Sequence, residues 1–420
     1  MADRRETTRI ARYALYDAGN SNYDTLVVAL AFPVFLGAVL EGSAGRADLA
    51  WGILFTVATL CAAVLGPMLG GLADRRRAKF RLLRFMTVAA VAGTLLLALG
   101  PSLPLLPGTH PGWVAAVFLG TQVCFFMAAL LYNSALADVS TRQNAAWISS
   151  VAWGVGYMGG IGGLLLAWLA HRMLPPEFRL RAFFLIAAVL FLLFSLPLML
   201  MRPKRIPAEA IAAQPVGLLR IIRSFMGNPT RSRLFWAYFF YTNAVNTVIL
   251  FTARFAKTTM GFDLISLVKL FILMNLVAAP ASIIIGRLAG RFGQIRTLIV
   301  VVSAWLIVVF LIAWIGSVQN RTAFIIVASC AASLIGPVQA LSRSLFRIIF
   351  PEQAMSSYFG VQSLANRSAA LVGPLLFGLV SWATKSQILG AMSSAALFAI
   401  GLGLLWTVPR EVEQDTGRVE

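Results

Sequence analysis

Gly70-Gly71-Leu72-Ala73-Asp74-Arg75-Arg76-Arg77-Ala78-Lys79 stands between two long apolar segments, and an altered copy of it begins 216 residues later. That copy is Gly286-Arg287-Leu288-Ala289-Gly290-Arg291-Phe292-Gly293-Gln294-Ile295, and apolar segments flank it too. The offset is close to half of the 420 residues, and each basic turn follows the second apolar segment of its half. This spacing predicts a duplicated six-helix unit. Only the first copy holds an acid, Asp74; Gly290 takes that place in the second.

The segments around the turns belong in lipid. Hydrophobic residues make up 59% of the chain and charged residues 12%, against about 25% charged in a soluble domain. Apolar runs of ~20 residues recur, the length that crosses a ~30 Å hydrocarbon core, whereas barrel strands need only ~10 alternating residues. They are read as twelve transmembrane helices, roughly 12–40, 49–72, 82–101, 113–137, 147–170, 181–201, 233–253, 264–286, 295–316, 322–345, 357–383 and 386–407. The expected fold is an all-α integral membrane protein of two pseudo-symmetric six-helix bundles. Residues 1–201 form the N-terminal bundle and 233–407 the C-terminal bundle. Between them, 202–232 is a basic linker interrupted by Pro203, Pro207 and Pro215, and 408–420 is a polar tail. Val216 to Phe225 has the pattern of an amphipathic helix lying on the membrane, with Arg220 and Arg223 toward headgroups.

A formal charge of +19 raises the question of nucleic acid, and its distribution answers it. Lys and Arg crowd onto one side of the predicted topology, in the N-terminal stretch, in Arg75 to Arg84 and in Arg202 to Arg233. Arg287, Arg291, Arg296, Arg343 and Arg347 join them there, whereas the other side keeps only scattered residues such as Arg46, Arg172 and Lys385. That asymmetry places both termini in the cytoplasm, in the inner membrane if the cell is bacterial, and leaves no role for nucleic acid. Membrane lipids are the implied surroundings, and one chain suffices for the architecture, so a monomer is expected. Cys61, Cys124 and Cys330 fall in predicted helices as packing residues. His110 and His171, the two histidines, have no carboxylates near them in sequence, and no Walker-type loop is present. No enzyme, metal, cofactor or direct use of ATP is therefore expected.

Helix 1 is the polar one. Tyr13, Asp17, Asn20 and Asp24 lie at i, i+4, i+7 and i+11 on one helical face. A carboxylate in the membrane faces the bundle interior or water. Asp24 lies on the order of 18 Å into its segment, where burial would raise its pKa and let it carry a proton. Asp24 and Asp17 are the candidates for proton coupling, with pairing to a neighbouring helix as the structural alternative. Arg367 is the other membrane-embedded charge of interest, near the middle of helix 11 beside Tyr358, Gln362 and Asn366. Its planar fork suits a carboxylate or phosphate, so it either anchors a substrate or pairs internally with an Asp of helix 1. Tyr241, Asn243 and Asn246 of helix 7, together with Asn20, Asp24, Gln362, Asn366 and Arg367, are candidate substrate-binding residues; the alternative for the amides is bridging between helices. Lys269 is expected to snorkel to an interface. Gly154, Gly156, Gly159, Gly160, Gly162 and Gly163 give helix 5 a close-packing face.

In the first basic turn, Gly70 permits close approach to another helix. Asp74 either pairs with basic residues or sits at the N-terminal end of an adjacent helix. Asp74, Arg75, Gly70 and, from the second copy, Arg291 are the candidate gating residues. The ordered Gly-x-Leu-Ala-Asp-Arg string resembles the signature loop of the major facilitator superfamily. Tyr16-Asp17-Ala18-Gly19-Asn20-Ser21-Asn22-Tyr23 resembles the Tyr-Asp-Trp-Ala-Asn-Ser-x-Tyr opening of the vacuole effluxer-like family within it. Tyr238 to Thr247, Gln339 to Ser344 and Phe359 to Gly378 are similar to further segments of that family. The departures are Ala18 in place of its tryptophan and Asn243 in place of its helix-7 acid. The resemblance implies a basic residue at Arg367 and alternating access about a midplane site, and eukaryotic members are associated with vacuolar amino-acid export. The reading is a secondary active transporter for a small polar solute that carries a carboxylate or is zwitterionic, with the proton as candidate coupling ion. The alternatives are an amphiphilic or lipid-like substrate, prompted by 29 Phe and 10 Trp, or a non-transporting membrane sensor or scaffold.

Overall fold

The computed structural model describes residues 2–40, 44–99, 110–201, 223, 226–258, 260–262, 264–350 and 352–409. The amphipathic segment expected at Val216 to Phe225 and nearly all of the linker and tail lie outside the described residues. Among the described residues there is no strand, and the chain runs as twelve long helical rods. With no water in the hydrocarbon to bond exposed amides, an apolar chain satisfies its backbone by helix formation.

The first rod, α1, is Ala2–Tyr23, continued by a π-helical stretch Asp24–Ala31 and a last α-helical piece Phe32–Val39. It is followed by α2 (Ala44–Arg75), α3 (Lys79–Leu99), α4 (Pro111–Ser134), α5 (Ala145–Met173) and α6 (Pro176–Met199). The second half holds α7 (Pro229–Thr258), α8 (Leu264–Phe292), α9 (Gln294–Val318), α10 (Arg321–Ile349), α11 (Met355–Thr384) and α12 (Gln387–Trp406). Local sequence sets several starts. Pro111 and Pro176 occupy the first helical position of α4 and α6, where a missing N–H costs nothing. Asn320 caps α10 by accepting from Ala323 N at 3.0 Å, and Ser386 caps α12 by accepting from Leu389 N at 3.3 Å. Among the described residues, ten rods are long and apolar enough to cross a membrane by length and composition. The other two, α7 and α11, are each 30 residues long and contain the Tyr, Asn and Arg residues singled out above.

The duplication is visible in which helices touch. In the first half α1 packs on α6, α3 on α4 and α6, and α2 on α4. In the second half α7 packs on α12, α9 on α10 and α12, and α8 on α10, the same pattern advanced by six. The turns match as well. Arg77 takes a left-handed conformation (φ 51°) after α2, and Gly293, 216 positions on, takes positive φ (93°) after α8. The second copy thus holds glycine where the backbone asks for it, and the first tolerates an arginine.

The helices cluster into two compact units. Unit 1 is Met1–Val139, Val155–Gln214 and Gln353–Gly360; unit 2 is Ser140–Gly154, Pro215–Glu352 and Val361–Glu420. Each unit therefore takes in a short piece of the other sequence half, the start of α11 in unit 1 and the start of α5 in unit 2. In unit 1 the core is aromatic. Tyr132 stacks between Tyr13 (4.5 Å) and Tyr16 (4.7 Å), and Tyr23 stacks on Phe125 (4.2 Å). Such pairs add ~0.5–1.5 kcal/mol each beyond their burial. The Tyr16 hydroxyl lies 2.7 Å from Thr87 Oγ1, and the Tyr23 hydroxyl donates to Gln122 Oε1 at 3.3 Å.

The glycine face of α5 lies against α1, though with fewer glycines than expected. A Cβ on Gly159 would overlap Ala18 O, one on Gly163 would overlap Asn22 Oδ1, and one on Gly156 would reach Ser21 Oγ at 2.9 Å. Gly154 faces α8 instead, at Ile283, and Gly162 meets nothing within 4 Å. The contact gives a physical reason for Ala18: with Gly159 this close, an indole at position 18 has no room.

Candidate functional site

The polar strip of α1 forms only in part as the helical spacing predicts. Asp17 and Asn20 are each 8% exposed, and Asn20 Oδ1 is buried without a hydrogen-bond partner among the described residues. Asp24 is exposed, which corrects the expectation of a buried carboxylate there. The helix passes from α to π geometry at Asp24, while Asn20 and Asp17, one and two turns earlier on the same face, are covered. Short π-helical stretches inside α-helices accompany functional positions. A carboxylate exposed at this depth faces water rather than lipid.

In unit 2 the structure separates the helix-7 candidates into two roles. Asn243 is fully buried; its Nδ2 donates to Phe239 O at 2.7 Å and its Oδ1 accepts from Gly373 N at 2.9 Å. Both ends of the amide are thereby engaged with backbone, so Asn243 ties α7 to α11. Tyr241 is likewise buried, with its hydroxyl 2.7 Å from Ser342 Oγ of α10. These two are helix bridges. Asn246 is different: half-buried, it donates to Asn366 Oδ1 at 3.2 Å, next to the half-buried Arg367. Arg367 also lies within electrostatic range of Tyr238. Gln362 is buried at 6% exposure, one turn before Asn366. Asn246, Asn366 and Arg367 are thus the candidate binding residues that the structure brings together in this unit.

The gating candidates divide similarly. In unit 1, Asp74 accepts from Ser356 N (3.1 Å), Ser357 N (2.7 Å) and Ser357 Oγ (2.7 Å). It therefore caps the first turn of α11, where the helix dipole favours an anion. The two backbones approach closely: a Cβ on Gly70 would overlap Ser356 O, and one on Gly360 would come within 2.7 Å of Pro67 Cα. Lys79 Nζ pairs with Asp138 at 2.8 Å and donates to Ser134 O at 3.3 Å, and Ser134 Oγ lies 3.1 Å from Ser356 Oγ. Arg75 contacts Gly71 O of its own helix at 3.4 Å. Exposed Arg291 lies over the adjacent Phe292 ring at 5.6 Å. Neither arginine joins the latch that Asp74 and Gly70 make.

Unit 2 holds the repeat-related latch, built from other chemistry. A Cβ on Gly286 would overlap Ser150, Ser282 Oγ donates to Ser150 O at 3.3 Å, and Arg287 lies over the Trp147 ring at 4.5 Å. Gly290, at the place of the acid, meets nothing within 4 Å. Instead Arg343 of α10, 4% exposed, donates Nε to Ser149 Oγ at 2.8 Å and Nη2 to Ser149 O at 2.9 Å. Arg347, 1% exposed, donates to Ser140 O at 3.3 Å and pairs with Glu352. The sequence places both arginines among the cytoplasmic charges, and the structure buries them. Arg343 lies within the helix expected at 322–345, and α10 runs on to Ile349 and takes in Arg347 as well. The available signal was Ser342-Arg343-Ser344, an arginine between two small hydroxyl residues at the end of an apolar run.

The model of the family described as "Vacuole effluxer Atg22 like" matches residues 51–417. Among curated proteins, the chain is 28% identical over 429 residues to the MFS-type transporter YxiO of Bacillus subtilis (strain 168), covering 99% of this chain and 98% of that protein. It is 24% identical over 153 residues to autophagy-related protein 22 of Candida glabrata, covering 34% of this chain and 28% of that one. Among solved structures, the proton:xylose symporter XylE bound to 6-bromo-6-deoxy-D-glucose superposes with a TM-score of 0.76 at 15% identity, covering 96% of each chain.

Proposed function

The chain belongs to the vacuole effluxer Atg22-like family of major facilitator superfamily transporters, and from that premise we propose that it moves a small zwitterionic or carboxylate-bearing solute by alternating access. The observation that carries this reading is Arg367, held half-buried in the interior of α11 beside the Asn246–Asn366 hydrogen bond. A guanidinium at membrane depth is costly and is retained for a partner, and its planar fork fits a carboxylate. Taken by itself, the polar strip of α1 in unit 1 offers acceptors at Asp17, Asn20 and Asp24, chemistry suited to an ammonium group. Alternating access then requires the first turns of α11 to leave Asp74 and the first turns of α5 to leave Arg343, so the two latches are gates. We place both termini in the cytoplasm, in the inner membrane of a bacterial cell, from the distribution of Lys and Arg.

The test is a thermal-shift screen of the purified protein against amino acids, their carboxyamides, organic anions and lysolipids, repeated on Arg367→Ala and Arg367→Lys. A ligand that binds only the folded state raises its stability by mass action. An amino acid is expected to shift the melt while its carboxyamide does not, and Arg367→Ala to lose the shift, a change of at least ~10-fold in affinity. Equal binding to Arg367→Ala would remove Arg367 from the site. A response to lysolipid alone would select the amphiphilic reading.

Coupling to protons through Asp24 gives a second expectation, because Asp24 is an exposed carboxylate within the apolar part of the first rod. In proteoliposomes, Asp24→Asn is expected to flatten the dependence of transport on pH, with Asp17→Asn as the comparison. A profile unchanged by both substitutions would exclude α1 as the proton carrier.

A further inference from the structure

Inside unit 2, the six helices of the second half line a partly open cavity, and neither Asn246, Asn366 nor Arg367 is among its lining residues. Every one of them contributes: Thr247, Val248, Thr252 and Phe255 of α7, Met274 of α8, Val309 and Ile312 of α9, Phe324, Ala328 and Ala331 of α10, Phe377 of α11, and Ala391 and Ser394 of α12. The space exists because alanines (Ala328, Ala331, Ala391) stand where larger side chains would fill it. The Phe255–Phe324 stack, with centroids 5.9 Å apart, lies at one end. A second stack, Trp305 on Phe398 at 5.6 Å, lies one helical turn beyond Val309 and Ser394 at the other. Among the described residues, no charged side chain lines the cavity.

Its polar groups narrow the occupant. Thr247 Oγ1 already donates to Asn243 O (2.7 Å) and Thr252 Oγ1 to Val248 O (2.6 Å). Ser394 Oγ is fully buried and has no hydrogen-bond partner among the described residues, and neither has Trp305 Nε1 just beyond. Water needs two to four polar partners to stay in a protein interior, which these walls do not offer. An empty apolar cavity forfeits dispersion contacts along its whole lining. The lining along α7, from Thr247 to Phe255, runs about 12 Å along the helix axis, the length of a medium alkyl chain.

We infer that this cavity is a binding site for an unbranched alkyl chain carrying one neutral hydrogen-bonding group, which meets Ser394 Oγ. The site is separate from the proposed carboxylate site. An occupant would join α7 and α11, which carry Asn246, Asn366 and Arg367, to α10 and α12.

The test uses the full chain in lipid nanodiscs and a diazirine-bearing octanol as probe, with labelled residues mapped by mass spectrometry. Saturable labelling is expected on the α11 and α12 segments around Phe377 and Ala391 to Ser394, displaced by decanol. Ala328→Phe and Ala391→Leu fill the cavity from two helices, and each is expected to cut this labelling at least ~10-fold. Loss of one hydrogen bond in Ser394→Ala should weaken octanol binding about fivefold and leave the matching diazirine alkane unchanged. If one filling variant fails to fold, the other and the decanol competition still decide. Labelling that does not saturate, that falls only on lipid-facing residues such as Trp314 and Ile326, or that persists in the filled variants would overturn the site. Equal octanol binding to Ser394→Ala would overturn the role given to that hydroxyl.

Discussion

Replacing Asp74 with alanine is expected to slow transport by one to two orders of magnitude while leaving the chain folded in the membrane. The carboxylate accepts from Ser356 N, Ser357 N and Ser357 Oγ, and so holds the first turn of α11 within unit 1. Hydrogen bonds to a charged acceptor contribute ~1.5–3 kcal/mol each, and an anion at a helix N-terminus adds ~0.3–1 kcal/mol at an exposed site. Water takes over part of this when the latch opens, so a net loss on the order of 3 kcal/mol is a fair expectation, about a hundredfold in the population of the latched state. Asp74→Asn keeps one acceptor and should fall between. The cleanest reading comes from alkylation of a cysteine placed at Gln353, in a background lacking Cys61, Cys124 and Cys330. Its rate should rise at least tenfold in Asp74→Ala, in step with the loss of transport. Unchanged alkylation together with unchanged transport would mean that Asp74 is a packing residue.

How far this latch was legible depends on which link of the argument is asked. The basic turn, its copy 216 residues on, and the choice of Asp74 as an anion at a helix end all follow from residue type and spacing. The recurring helix pairs follow from the same duplication. What spacing did not disclose is where a side chain's hydrogen-bonding capacity is used. Asn243 and Asn246 look alike in sequence; one is closed onto Gly373 and Phe239 backbone, and the other reaches Asn366. That difference comes from three residues of helical rotation and the close approach of α11 at Gly373. Asp24 differs for another reason: a period of 3.6 places it on the face of Asp17, and spacing does not say where along that face packing ceases to cover the side chains. Arg343 and Arg347 were read by charge alone, and charge at a helix end reads as a surface anchor until the helix is found to continue past it.

The second large effect is expected at Arg343, because the repeat has kept the latch and exchanged its chemistry. Where unit 1 sets an acid against a helix N-terminus, unit 2 sets a buried guanidinium against Ser149 near the start of α5, through Nε to Oγ (2.8 Å) and Nη2 to the carbonyl (2.9 Å). Ser149 Oγ in turn donates to Ala340 O at 2.8 Å, which closes the contact back onto α10. Truncation to alanine removes both bonds and leaves a void in a close-packed place, a combination that costs about 3–5 kcal/mol. For a protein of this size that is a fall of roughly 3–6 °C in melting temperature. Lysine offers a point charge on a flexible stem in place of a planar fork and should recover less than half. A double-mutant cycle with Ser149→Ala separates the contact from general loss of packing: a coupling of about 1–2 kcal/mol is expected, and a value near zero would show that Arg343 acts through something other than Ser149. Transport should fall with the melt at Arg343, whereas Arg287→Ala, which removes a cation–π contact worth about 0.5–1 kcal/mol, should leave most of both. If Arg343→Ala melts and transports like the parent chain, the second latch rests on the Gly286–Ser150 approach and its neighbours, the Ser282–Ser150 and Arg347–Ser140 hydrogen bonds. The two halves would then be alike in their close backbone approach and unlike in having one side chain that dominates the lock.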